Sequence, residues 1–306
     1  MPTTSEGLVV DSPGQLTTEF LSAHLGAEVL RFEVAPVQTP GVNGDVQIVT
    51  VWTSTSSQQR LVAKFPPADA RARTVVHQMN WNRREIGFFQ ELASQSPLAP
   101  PPGTCLHAAI DVESGSSVLL LRHLSDQGWR QGDQVDGCSA DAAATIVATL
   151  AEHHARWWAK GDCSGTGELP PWLPCSTNLS GLEAGPRVQR YLASVWSRVR
   201  DRMPVELRPV GDALADNYVG LMQVAAQPPT TLVHGDLRLD NLFVLESDGS
   251  DRWCAIDWQF VGQQRGTIDL AYFVGLSLTP SVREAAEDAL LLRSVSLCDT
   301  LDSTPR

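Results

Sequence analysis

Two short apolar runs, Leu242–Leu245 and Trp253–Ile256, flank the polar, glycine-bearing stretch Glu246–Asp251. Apolar arms around a turn of this kind read as a β-hairpin. A hairpin brings its open ends together, and here both ends carry oxygen donors. Asn241 enters the first arm and Asp257 leaves the second. Five positions before Asn241 stands Asp236, within His234-Gly235-Asp236. The pattern therefore gathers one proton-accepting carboxylate and two candidate ligands for a hard cation such as Mg²⁺. Any one of these residues alone would read as a surface turn or a helix cap. The ordered set, with its D-x-x-x-x-N interval, is what phosphoryl transfer requires of a catalytic loop.

Upstream, strand-like segments at Leu30–Val34, Val46–Trp52 and Arg60–Phe65 follow a short helix opened by Asp11-Ser12-Pro13 and running through Leu25. Gly41 and Gly44, in Pro40–Gly44, lie where a loop between strands would let backbone N–H groups approach a nucleotide's phosphates. The run Leu61-Val-Ala-Lys64 has the form of a kinase nucleotide-binding strand, which makes Lys64 a candidate cation for those phosphates. The spacing predicts one helix from about Thr74 to Ala93. Within it Trp81, Phe88 and Leu92 form one stripe, and Glu85 sits inside that stripe. A carboxylate on an apolar face needs a partner, because an unpaired buried charge costs several kcal/mol. Arg84 faces elsewhere, so Lys64 is the candidate.

HGDLRLDN at His234–Asn241 and IDW at Ile256–Trp258, with REIGFFQEL, LAEHHARWW and DLAYF elsewhere, resemble the aminoglycoside phosphotransferase and choline-kinase-like superfamily. Within it the likeness is to bacterial phosphotransferases related to ecdysteroid-kinase-like proteins. The resemblance implies an α+β, two-lobed protein-kinase-like fold. Residues 1–124 would form a small, β-rich nucleotide-binding lobe and residues 125–306 a larger helical, acceptor-binding lobe. It further implies an ATP-dependent phosphotransferase acting on a hydroxyl of a small molecule, with Mg²⁺ as cofactor. Asp236 would be the base, Asn241 and Asp257 the metal ligands, and Lys64 and Glu85 the phosphate-binding pair. His234, Gly235 and Arg238 would brace the loop. The alternative is a kinase-fold nucleotide-binding or regulatory protein with little turnover. It is motivated by two departures. Arg122-His123 stands where relatives carry an acidic pair, and only about thirty residues follow Leu276, so the second lobe reads as shortened.

The rest of the second lobe is read more coarsely. Ser139–Lys160 is predicted to be a strong amphipathic helix. Adjacent His153 and His154 diverge on it and cannot chelate one ion together. His154 matches a hydrogen-bonding family position. Gly161–Gly185 is irregular, helices are expected near Pro186–Arg202 and Val210–Ala225, and Glu284–Leu292 supplies a last one. Asp269 is expected to cap the helix that follows it. Composition narrows partners and compartment. The 306 residues carry 23 Lys and Arg against 35 Asp and Glu, a net charge of −12, which disfavours nucleic acid. The six cysteines form no C-x-x-C pair and read as reduced thiols. With neither a signal-like segment nor an apolar run of membrane-spanning length, the reading is a cytoplasmic protein without a membrane partner. Oligomeric state is left open.

Overall fold

The computed structural model describes residues 9–37, 44–55, 58–161, 167–175, 179–225, 227–247 and 251–302. A 3₁₀ turn at Pro13–Gln15 precedes α1 (Thr18–Leu25), so the single helix expected here is broken. Thr17 is the cause: its backbone is extended and its hydroxyl accepts the Phe20 N–H, which starts a new helix. Strands β1 (Val29–Pro36), β2 (Asp45–Thr53) and β3 (Gln59–Phe65) follow as an antiparallel meander.

The helix expected over 74–93 is two helices, α2 (Ala70–Gln78) and α3 (Trp81–Gly87). Asn80 separates them at φ +56°, a left-handed conformation that no helix interior tolerates. The chain continues from α3 through a π-helical turn at Phe88–Leu92; of the predicted stripe Phe88 and Leu92 are buried, as is Glu85, while Trp81 is only partly buried and meets Phe260 edge-on.

Strands β4 (Cys105–Ile110) and β5 (Ser117–Arg122) complete a five-stranded antiparallel sheet in the order β1-β2-β3-β5-β4. β5 is apolar at successive positions because both of its faces are covered. Val118 and Leu120 join the core under α1, while Leu119 and Leu121 pack with Ile86 of α3. Burying each such side chain stabilises the lobe by about 1.5–3 kcal/mol. Past β5 the chain crosses to the second lobe, and β3 clasps the crossing. The His123 N–H donates to the Arg60 carbonyl at 3.1 Å, and the Arg60 side chain pairs with Asp126.

The second lobe holds β6 (Arg130–Gln131), α4 (Ala140–Trp157), α5 (Leu179–Val199), α6 (Arg208–Ala225), β7 (Thr231–Val233), β8 (Leu242–Leu245), β9 (Arg252–Ala255), β10 (Gly262–Gln264), α7 (Thr267–Ser277) and α8 (Pro280–Asp302). Its strands form two small sheets, β6-β8-β9 and β10-β7. Ser139 caps α4, and Ile146, Leu150 and Trp157 lie in the main core. α5 begins at Leu179, before the expected start, with Pro186 inside it. α8 likewise runs well beyond the expected Glu284–Leu292.

Cys105, Cys138 and Cys254 are free, but Cys175 is disulfide-bonded, which corrects the all-reduced reading. Sequence spacing says nothing about which Cα atoms the fold brings within bridging distance. No helix among the described residues is long and apolar enough to cross a membrane.

Candidate active site

The stretch after β7 is held from below by one buried carboxylate. Asp269, in the first turn of α7, accepts the backbone N–H of His234 at 2.8 Å and of Gly235 at 2.8 Å. His154 Nε2 lies 3.2 Å from the same carboxylate. Burial opposes the Asp269 charge, but these donors overcome it and hold its pKa below the usual carboxylate value. The expectation that Asp269 caps its own helix is therefore overturned. Gly266 occupies the N-cap without a side-chain bond, and Asp269 grips the loop instead. His154 has the hydrogen-bonding place expected of it.

Gly235 adopts φ +84°, and a Cβ there would sit 2.6 Å from the Phe260 carbonyl oxygen. Both facts demand glycine. His234 is fully buried; its Nδ1 accepts the Asp236 N–H at 3.2 Å, so the proton is on Nε2, which donates to the Ile256 carbonyl at 2.9 Å. The histidine thus bridges the loop to the end of the hairpin.

The hairpin forms as expected, with Leu242 opposite Ala255. Asn241 closes a 3₁₀ turn, and its carbonyl accepts the Ile256 N–H at 2.9 Å, which joins the two open ends. The Asn241 Nδ2 donates to the Asp236 carbonyl at 2.8 Å and to its Oδ2 at 2.9 Å. Arg238 lies 3.4 Å from the Asp236 carboxylate and also binds Asp240 and Gln134 at 3.1 Å.

Asp257 follows at φ +65°, ψ +59°, a left-handed conformation costing a non-glycine residue about 1–2 kcal/mol. The strain is held by its neighbour. Trp258 is completely buried and stacks on Phe88 with centroids 3.7 Å apart and planes 8° from parallel.

Lys64 meets this end of the hairpin from the other lobe. Its Nζ lies 2.8 Å from Asp257 Oδ1 and 2.7 Å from Glu85 Oε2. The Lys64–Glu85 pair has the geometry expected from the helix stripe. Burial disfavours the Lys64 charge, yet the Asp257 and Glu85 carboxylates outweigh it and raise its pKa. Burial likewise works against the Asp257 charge, and Lys64 more than offsets it, so the Asp257 pKa falls.

One cleft between the lobes is lined by Gly44, Lys64 and Glu85 on one side and by Asp236, Arg238 and Asp257 on the other. His234, Gly235 and Asn241 stand immediately behind that second wall. Gly41 lies outside the described residues. Asp269 was expected only as a helix cap, and two residues beside the site were not singled out in the sequence: Gln259 (Nε2 3.2 Å from Asp257 Oδ2) and Tyr272, whose phenol pKa is raised by burial and by the Asp236 carboxylate. The run DLAYF carried Asp269 and Tyr272.

The model of the phosphotransferase enzyme family matches residues 41–297. Among solved structures, the chain is similar to a provisionally assigned aminoglycoside phosphotransferase from Ralstonia eutropha, with 16% identity and a TM-score of 0.51 over 95% of this chain and 82% of that one. It is also similar to macrolide 2'-phosphotransferase from Brachybacterium faecium, with 14% identity and a TM-score of 0.46 over 92% and 85% of the two chains. No curated protein matches it significantly. The Ralstonia likeness shows the two-lobed, kinase-like fold, and the match over residues 41–297 places the chain in the phosphotransferase enzyme family.

Proposed function

We propose that this protein is an ATP-dependent phosphotransferase that moves the γ-phosphate to a hydroxyl of a small molecule. The observation that carries the reading is the single cleft in which Lys64 and Glu85 of one lobe face Asp236 and Asp257 of the other.

In this mechanism Lys64 contacts the nucleotide's phosphates, and Glu85 fixes the direction of its ammonium group. Phosphoryl transfer asks the protein mainly for positioning and charge neutralisation. Asp236 accepts the proton of the acceptor hydroxyl and aims its oxygen at the phosphorus. Asn241 holds one oxygen of that carboxylate, which leaves the other for the acceptor. Arg238 keeps the carboxylate from swinging, and Gly44 lets the backbone of the small lobe lie close to the nucleotide.

The donor set suits Mg²⁺. Asp257 offers a carboxylate, and the Nδ2 of Asn241 is spent on Asp236, leaving its amide oxygen as a second hard ligand. The ion, when bound, neutralises charge on the phosphate oxygens. Arg122, in the crossing, donates to the Gln59 side-chain oxygen at 3.1 Å, and neither it nor His123 lines the cleft that holds Lys64 and Asp257.

The test pairs calorimetry with transfer assays. Asp257→Ala is expected to weaken Mg·ATP binding. Asp236→Asn is expected to keep Mg·ATP affinity while losing transfer by about 10²–10⁴-fold. Equal nucleotide affinity in wild type and Asp257→Ala would remove Asp257 from the metal site. Full transfer by Asp236→Asn would remove the base.

A further inference from the structure

The chain leaves Asp257 through a 3₁₀ turn, Trp258–Phe260, whose first and last side chains are both anchored. Trp258 stacks on Phe88, and Phe260 meets the Trp81 ring edge-on with centroids 5.4 Å apart. Gln259 stands between these anchors, and they set its direction. It lines the cleft with only 9% of its surface in solvent. A buried amide needs a hydrogen-bond partner, and this one finds the Asp257 carboxylate, to which Nε2 donates at 3.2 Å. The nitrogen is the atom turned that way, because an amide oxygen would face the carboxylate with no proton between them.

The two oxygens of Asp257 are therefore not equivalent. Oδ1 faces the Lys64 ammonium at 2.8 Å, a charge that another cation can replace. Oδ2 faces a neutral donor two residues along the same chain, held in place by the aromatic contacts on either side. The left-handed backbone at Asp257 fixes the base of the carboxylate, and the Gln259 bond fixes its rotation.

We propose that Gln259 is a positioning residue that sets which cation the site prefers. By keeping Oδ2 engaged it makes Asp257 offer one oxygen, Oδ1, and this favours Mg²⁺ over Ca²⁺. The inference rests on the phosphotransferase reading and adds the residue that selects its cation. The two ions differ where this device acts. Mg²⁺ demands about six ligands in near-octahedral geometry and keeps several waters. One carboxylate oxygen and the Asn241 amide oxygen, completed by phosphate and water, satisfy it. Ca²⁺ takes up to about eight oxygens and readily accepts both oxygens of one carboxylate. Tying one oxygen of Asp257 to an amide thus costs Ca²⁺ more than Mg²⁺. Glutamine does this without adding charge to a cleft that already sets Glu85, Asp236 and Asp257 against Lys64 and Arg238.

The experiment is calorimetry on the whole protein with a non-hydrolysable ATP analogue, in Mg²⁺, in Ca²⁺ and with metal removed by EDTA. Gln259→Met keeps the length of the side chain and removes the donor. It is expected to weaken binding in Mg²⁺ about 10-fold, the usual cost of losing a group that orients a metal ligand, and binding in Ca²⁺ by less than about threefold. The preference for Mg²⁺ therefore shrinks, a change that a merely structural role would not produce. Metal-free affinity should stay within about twofold of wild type, since Lys64 and its surroundings are untouched. Gln259→Leu is the second variant, with the same expected pattern. Equal changes with the two cations, in either variant that keeps its metal-free affinity, would overturn the inference and leave the phosphotransferase reading standing. So would loss of metal-free affinity in both variants, which would make Gln259 a structural prop. Wild-type binding of the analogue that ignores divalent cations overturns both.

Discussion

His153 gives the sharpest prediction about how this protein responds to acid. Its ring is fully buried in α4, with Nδ1 2.9 Å from the Ser96 hydroxyl and, among the described residues, no well-formed hydrogen bond at Nε2, which has the Leu232 backbone near it. Burial, reinforced by neighbouring His154, pushes its pKa down from the ordinary 6.5 to about 3. The folded protein therefore refuses a proton that the unfolded chain accepts. Stability rises with pH wherever the unfolded state binds more protons. The contribution of neutral His153 is fully present above about pH 6.5 and is lost as pH falls toward about 3. Over the whole window that loss is about 5 kcal/mol at 1.36 kcal/mol per unit, and by about pH 4.5 it has reached roughly 2–3 kcal/mol. A domain's total stability is only about 5–15 kcal/mol. The depressed carboxylate of Asp269 acts in the same direction but lower, because its contribution is present above about pH 4 and lost below it.

The assay is urea unfolding followed by tryptophan fluorescence near pH 7 and near pH 4.5, for wild type and His153→Gln. The variant is expected to be less stable near neutrality, where it leaves Ser96 with an altered partner. Its further loss on acidification should be smaller than that of wild type by about 2 kcal/mol or more. Equal losses in the two proteins, or an imidazole titration of His153 near 6.5 by NMR, would refute the reasoning. The ring lies 5.6 Å from that of Trp258 and 5.8 Å from that of His154. Protonation therefore strikes the support beneath Asp257 and Asp269 before it reaches the cleft itself.

Other expectations follow from the same geometry. Lys64→Ala and Glu85→Ala should be coupled in a double-mutant cycle on nucleotide affinity by about 1 kcal/mol or more; strict additivity would mean that the observed ion pair does not act as a unit. Gly235→Ala should cost at least about 2 kcal/mol in stability, from the left-handed backbone and the Phe260 carbonyl in its way, and thermal unfolding checks it. Asp269→Asn keeps the shape but loses the charge that two backbone N–H groups and His154 share. It should lower the midpoint of unfolding and reduce transfer with little change in acceptor KM.

The parts of this molecule that were legible in the sequence are those governed by local periodicity. The hairpin announced itself through two apolar arms and a polar turn, and so the closeness of Asn241 to Asp257 could be stated in advance. Glu85 was legible because an acidic residue inside an apolar stripe is a contradiction that only a partner resolves. Asp269 was not legible. An aspartate in a helix's first turn has a sufficient local explanation, while its true partners lie 34 and 35 residues away in the chain. The break at Asn80 was hidden because every residue of the predicted stripe lies after it, so the stripe carried no information on whether the helix ran unbroken from Thr74. The disulfide at Cys175 depends wholly on tertiary approach, which spacing does not encode.

The bond between Lys64 and Asp257 makes the two halves of the proposed chemistry thermodynamically dependent on one another. The ammonium group lies 2.8 Å from the carboxylate oxygen that a divalent cation would take in the proposed chemistry. A cation arriving alone must displace it, at a cost in affinity. A nucleotide whose phosphates draw Lys64 away releases that oxygen, so the first ligand lowers the barrier to the second. Linkage makes the effect reciprocal: the factor by which ATP tightens Mg²⁺ equals the factor by which Mg²⁺ tightens ATP. On the proposed function, the cleft would favour the metal–nucleotide complex over either component alone.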